Sequence, residues 1–131
     1  MLKHEIVDEK SLAEYSPLVL AYIGDAVFEL MVRTRAVLTG KRKIRDIHRE
    51  TVSVVRAENQ AKLIRALFDD LTEEEQGIVK WGRNAKSTPP KNVEIGDYRM
   101  STGFEALLGF LYLKGDEERL LYLVSRVLEI G

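Results

Sequence analysis

The sequence predicts an all-α fold, and three observations carry that prediction. Apolar residues recur at spacings of three and four along most of the chain, the period of a helix buried on one side. No stretch alternates apolar and polar residues long enough to specify a strand. Only three prolines occur, two of them adjacent at Pro89-Pro90, so little interrupts helical runs.

The elements follow in order. A short helix is expected from about Glu9 to Glu14. Ser16-Pro17 supplies an N-cap and a proline at the first helical position, opening a long helix that runs to about Leu38, with Gly40 as its stop. Ile44, Ile47, Val54, Val55, Ala61, Ile64, Leu67 and Phe68 then mark one bent helix or two consecutive ones. Thr72-Glu73-Glu74-Glu75 reads as a capping box, with acids in the first turn of a helix ending near Arg83. Residues Asn84 to Met100 read as one long loop, longer than most connections in a compact domain and therefore a candidate for function. Ser101-Thr102 is expected to cap a second strongly apolar helix, Phe104 to Leu113, broken at Gly115-Asp116. Leu120, Leu121, Val124, Val127 and Leu128 define a final amphipathic helix.

At 131 residues the chain is expected to form a single domain, residues 1–131. With 45% hydrophobic and 31% charged residues it has an ordinary globular composition. The absence of cysteine excludes a disulfide framework and cysteine-based zinc or nucleophile sites, and suits a reducing compartment. The longest run without a charge, Tyr15 to Gly24, is far below the ~18–20 residues of a membrane span, and Met1-Leu2-Lys3-His4-Glu5 lacks the layout of a signal peptide. A cytoplasmic location is expected.

The net charge of −1 hides two basic zones. One holds Arg33, Arg35, Lys41, Arg42, Lys43, Arg45 and Arg49; the other holds Lys80, Arg83, Lys86, Lys91 and Arg99. They suit a local polyanion surface or, equally, ordinary solvated helix faces.

The most informative misfit is Asp25, within Ser16-Pro17-Leu18-Val19-Leu20-Ala21-Tyr22-Ile23-Gly24-Asp25-Ala26-Val27-Phe28. Apolar residues fall on every side of this helix, so burial on more than one face is expected. A carboxylate there is costly unless paired or bound. The second apolar helix carries a comparable acid, Glu105, and each helix contains a glycine, Gly24 and Gly109, tolerated where another backbone comes close. If the two helices pack together, Asp25 and Glu105 converge, and two carboxylates in a partly dry site require a cation, with hard oxygen ligands suiting Mg²⁺ or Mn²⁺. The alternative is that each acid pairs with an arginine or caps a helix. Glu29, one turn beyond Asp25, is a weaker candidate that fits solvent or a basic partner. His4 and His48 lie in unrelated contexts, and no phosphate loop or dinucleotide fingerprint is present. Trp81 is placed under the basic loop rather than as a base-stacking residue.

These residues carry a family resemblance. Leu20-Ala21-Tyr22-Ile23-Gly24-Asp25-Ala26-Val27 resembles the signature helix of ribonuclease III, Leu-Glu-Phe-Leu-Gly-Asp-Ala-Val. Phe104-Glu105-Ala106-Leu107-Leu108-Gly109-Phe110-Leu111-Tyr112-Leu113 resembles its second motif. Together with Gly82-Arg83-Asn84-Ala85-Lys86-Ser87 and Tyr98-Arg99-Met100-Ser101-Thr102, and with no double-stranded-RNA-binding domain expected after Gly131, the chain is most similar to the Mini-III subfamily.

The resemblance implies a ribonuclease III-like helical bundle forming a homodimer. It also implies Mg²⁺-dependent hydrolysis of double-stranded RNA to 5′-phosphate and 3′-hydroxyl ends, and maturation of the 23S ribosomal RNA precursor. It assigns Asp25 and Glu105 as catalytic metal ligands. Ala21 and Thr102 stand where the family usually has acids, and Leu18 replaces a further acidic position. The Mini-III subfamily shares the alanine and threonine. Thr102 is expected to hydrogen-bond a metal-bound water. Arg83, Asn84, Lys86, Lys91 and Arg99 are assigned to gripping RNA phosphates, with Lys41, Arg42 and Lys43 second. A catalytically silent helical dimer that binds structured RNA or a ribosomal protein is the alternative.

Overall fold

Ser16 opens the longest helix. In the computed structural model, which describes residues 5, 7–40 and 42–130 (at 130 the backbone alone), its hydroxyl accepts the Val19 N–H at 3.2 Å, and Pro17 fills the first helical position. This helix, α2 (Pro17–Leu38), has the bounds its sequence signals predict. Before it, α1 (Glu9–Leu12) is shorter than expected.

The apolar pattern after Gly40 resolves into two helices, α3 (Ile44–Val55) and α4 (Ala57–Leu67). They break at Arg56, whose ψ of 142° leaves the helical region. A 3₁₀ turn at Phe68–Asp70 leads to α5 (Glu73–Arg83). Its capping box forms in full: Thr72 Oγ1 accepts the Glu75 N–H at 3.1 Å, and Glu75 Oε1 accepts the Thr72 N–H at 2.9 Å.

The structure corrects the next boundary. Glu94, not Ser101-Thr102, caps the second apolar helix, accepting the Gly96 and Asp97 N–H groups at 2.9 and 2.8 Å. Helix α6 therefore runs Ile95–Lys114, and the irregular segment ends at residue 94. Ser101 and Thr102 are buried inside α6, and both hydroxyls donate to the Tyr98 carbonyl, at 2.7 and 3.0 Å. A serine or threonine bonding back along its helix satisfies the same chemistry as a cap, so the sequence signal was ambiguous. Gly115, in the left-handed region at φ 82°, ends α6, and α7 (Glu117–Ile130) follows.

Helix α6 is the centre of the molecule. It packs against α2, α5 and α4 most extensively and also touches α1 and α7. The α2–α6 crossing is a backbone-to-backbone contact: a Cβ on Gly24 would lie 1.7 Å from the Glu105 carbonyl oxygen, and one on Gly109 would lie 1.9 Å from that of Leu20. One turn beyond Asp25, Phe28 meets Phe104 edge to face with ring centroids 5.2 Å apart. Both rings are fully buried.

Burial of α2 on more than one face is not found within the chain. Leu20, Ala21, Gly24, Val27, Phe28 and Val32 are buried, while Leu18, Val19, Tyr22 and Leu30 are exposed, Tyr22 at 82%. Among the described residues there is no strand, and no helix is long and apolar enough to cross a membrane.

Candidate active site

The glycine contact sets the geometry of the acids. With Gly24 pressed on the backbone of Glu105, the next residue of α2, Asp25, comes within hydrogen-bonding contact of the Glu105 side chain. The two predicted acids therefore meet, and they divide their environments in a way the sequence does not anticipate. Asp25 is exposed, and Glu105, half-buried at the crossing, is the carboxyl in the dry position. Burial pushes the Glu105 carboxyl up to about 9, and the neighbouring Asp25 adds to the rise through a hydrogen bond and like charge. The side-chain amide of Gln60 acts in the opposite direction by hydrogen bonding to Glu105.

Two close oxygen donors, one of them in a site that disfavours its own charge, suit a hard divalent cation, which would relieve the repulsion and favour ionised Glu105. Among the described residues no group of three or more His, Cys, Asp or Glu side chains could hold a metal. The donor set is thus lean, which suits an ion that keeps several waters and takes further oxygens from a phosphate. Ala21 is buried in the core, so α2 offers no second carboxylate one turn before Asp25. The Thr102 hydroxyl hydrogen is committed to the Tyr98 carbonyl, leaving only its lone pairs for a metal-bound water. Glu29 pairs with Arg33 at 3.1 Å and stands apart from the site chemistry.

The basic candidates separate into two groups. Arg83, Asn84 and Arg99 line a cleft of about 360 Å³ together with Arg65, Gly96 and Met100. Arg83 Nε donates to Asn84 Oδ1 at 3.2 Å, and Arg65 pairs with Asp97 at 2.7 Å. Lys86 and Lys91 are exposed on the segment leading into α6. In the second group, Arg42 is engaged: it pairs with Glu50 and donates to the Ala36 carbonyl, tying α3 to the end of α2. Lys43 is exposed before α3, and Lys41 lies outside the described residues.

Two residues of this region escape the sequence reading. Arg65 resembles any surface cation until the fold brings α4 beside the start of α6. Gln60 left a readable trace: with Ile64 and Leu67 it falls at i, i+4 and i+7, which puts an amide on the apolar stripe of α4.

An aspartate and a glutamate thus face each other across a glycine contact, on two helices separated by most of the chain. The model of the ribonuclease III domain matches residues 18–116, a span that holds both acids. The chain belongs to the ribonuclease III family. Within that family it groups with proteins named Mini-ribonuclease 3. It is 50% identical to the one from a Thermoanaerobacter species over 88% of this chain and 82% of that one. It is 42% identical to the one from Brevibacillus brevis over 99% and 96%. A crystal structure of a protein from Fusobacterium nucleatum superposes with a TM-score of 0.81 at 31% identity, covering 88% of this chain and 93% of that one. Membership identifies the chain as an endoribonuclease, in a family that acts on double-stranded RNA and generally uses a divalent metal.

Proposed function

We propose that this ribonuclease III family member hydrolyses double-stranded RNA with Mg²⁺, for which Mn²⁺ can substitute, held by Asp25 and Glu105. The convergence of these two carboxyls at the α2–α6 crossing carries the reading. A bound ion supplies Lewis-acid stabilisation of the phosphate and lowers the pKa of water. The chain's own groups do the rest. Asp25 presents its carboxylate from the exposed side of α2, where a phosphodiester backbone can reach it. Glu105 contributes from the drier side and is held against Asp25 by the backbone contact at Gly24. Arg83, Lys86, Lys91 and Arg99, with Arg65 beside them, supply cations for the phosphates of a duplex read by shape, and Asn84 an amide donor. Lys43, exposed before α3, is a secondary contributor.

We take the working unit to be a homodimer. The uncovered apolar residues of α2, Leu18, Val19, Tyr22 and Leu30, form the kind of exposed patch that marks an interface, and a two-fold copy would align two sites along one duplex. The cellular substrate we infer is the 23S ribosomal RNA precursor in the cytoplasm, with a ribosomal protein as an assisting partner; kinship with the Mini-ribonuclease 3 proteins supports it.

The test is cleavage of long double-stranded RNA by purified protein with Mg²⁺ or with chelator, beside Asp25→Asn. Cleavage is expected with Mg²⁺ alone, and none from the variant although it stays folded and of native size. Cleavage retained by Asp25→Asn removes the assignment. Tight RNA binding with no cleavage by the wild type supports instead a silent RNA-binding dimer, the reading that the non-acidic Ala21 and Thr102 would favour.

A further inference from the structure

Gln60 is 2% exposed, one of the few polar side chains in the core. Its α4 backbone offers no reason for an amide there, since Ala61, Leu63, Ile64 and Leu67 around it are all buried and apolar. Its Nε2 donates to the Val55 carbonyl at 2.7 Å, across the α3–α4 break, which fixes the plane of the amide. The same amide lies close enough to the Glu105 carboxyl to favour its ionised form. Its Oε1 is buried without a partner among the described residues. A buried polar atom left unpaired disfavours folding, and an apolar side chain of similar shape avoids that cost. The bond to Val55 offsets part of that cost, but it accounts for only one end of the amide.

We propose that Gln60 is a positioning residue of the active site, anchored by Val55 so that its amide N–H orients the Glu105 carboxylate toward Asp25. The inference rests on the reading of Asp25 and Glu105 as metal ligands. Partners of metal-binding carboxylates act in this way: they fix the ligand's rotamer and tune its donor strength, and their loss typically lowers metal affinity or activity about 10–100-fold. With two carboxyls in the site, the orientation of each carries more of the binding than in a site with four. Gln60 also links the site to α4, the helix that carries Arg65 beside the basic cleft.

The experiment compares wild type, Gln60→Leu and Asp25→Asn by Mn²⁺ titration of the RNA-free protein, read by electron paramagnetic resonance. Thermal melting and steady-state cleavage are measured alongside. For Gln60→Leu the expected result is a melting temperature lowered by no more than the loss of the single bond to Val55 explains, Mn²⁺ affinity and kcat each lower by about tenfold or more, and an unchanged KM for RNA. A merely structural glutamine predicts lowered melting with metal affinity and kcat intact. Wild-type Mn²⁺ affinity in Gln60→Leu, with loss in Asp25→Asn, overturns the role of Gln60 alone. Undiminished Mn²⁺ binding in both variants overturns the metal-site reading, and the role of Gln60 with it. Should Gln60→Leu fail to fold, Gln60→Met, which keeps the length of the side chain without the amide, decides by the same measurements.

Discussion

Gly24 rests directly on the carbonyl of Glu105, so the residue before one of the two candidate acids is the seat of the other. A Cβ at this point would lie 1.7 Å from that oxygen, and no side-chain movement relieves a clash between two backbones. Gly24→Ala is therefore expected to destabilise the protein by about 3 kcal/mol or more, the upper range for overpacking, and to part the two acids. Gly77 is the control: in α5, it has nothing within 4 Å of the added Cβ. Gly77→Ala should gain about 0.5–1 kcal/mol from helix propensity. Chemical denaturation of the two variants checks both signs; equal effects would contradict the packing at the crossing.

Glu105 gives the metal-free protein a pH dependence of defined direction. Its carboxyl holds its proton up to about 9 in the fold, against about 4.5 when unperturbed. For a group whose pKa is raised by folding, the contribution to stability is complete below the unfolded value and is lost as pH rises through the folded one. Between about pH 4.5 and 9, wild type should thus lose stability relative to Glu105→Gln, which cannot ionise. Mg²⁺ should flatten the loss by favouring the ionised form, and its affinity should climb across the same window. Melting curves against pH, with and without Mg²⁺, provide the check, and parallel profiles for the two proteins would exclude Glu105 as the source.

The exposed lysines of the segment before α6 should act through salt. Each phosphate contact removed lowers the slope of log affinity against log salt by about 0.9 for a duplex. Lys86→Ala combined with Lys91→Ala is expected to weaken duplex binding and reduce the slope by up to about 1.8. Fluorescence anisotropy at several salt concentrations, in the absence of cleavage, measures it. A slope equal to that of wild type would move the RNA path to another face.

Glu75 joins a helix cap to a distant helix. Beyond its part in the Thr72 box, it accepts Arg119 Nε at 2.8 Å and a second guanidinium N–H at 2.7 Å, and this pairing holds its carboxyl below the usual range. Glu75→Gln should cost about 2 kcal/mol, less than the ~3–5 of a fully buried pair because Arg119 is partly open to solvent. The group's pKa is lowered by folding, so its contribution is present above the unfolded value and disappears as pH falls through the folded one. Acid denaturation of the variant should start from lower stability and show a shallower decline.

What the sequence made legible was local. The Ser16-Pro17 start, the Thr72–Glu75 box and the stop at Gly115 are decided by residues within one turn of each other, and they appear where expected. Ser101-Thr102 misled because a hydroxyl bonded back to Tyr98 and a hydroxyl capping a new helix use the same residue types. At the site, the meeting of Asp25 and Glu105 was conditional on two helices crossing, and Gly24 and Gly109 were the sequence's hint of it. The division of environments, with Asp25 open and Glu105 dry, depends on how α2 is rotated about its own axis. An all-apolar helix does not specify that angle, because every rotation buries something suitable. Arg65 and Gln60 reach their positions through α4, whose placement against α6 is a tertiary fact with only a faint trace in the spacing of Gln60, Ile64 and Leu67.

Helix α6 touches α1, α2, α4, α5 and α7, and Glu105 sits at its middle. The proposed chemistry is therefore written into the keystone of the fold, while the cations assigned to RNA stand on its rim. Variation has unequal freedom in the two places. On the proposed reading, changes on the segment of residues 84–94 would alter which duplexes are held, and how firmly, at little structural cost. Changes around Glu105 must keep the whole bundle standing before they can alter catalysis. An engineer or a lineage seeking a new preference would find it at the edge, with the centre passed on intact.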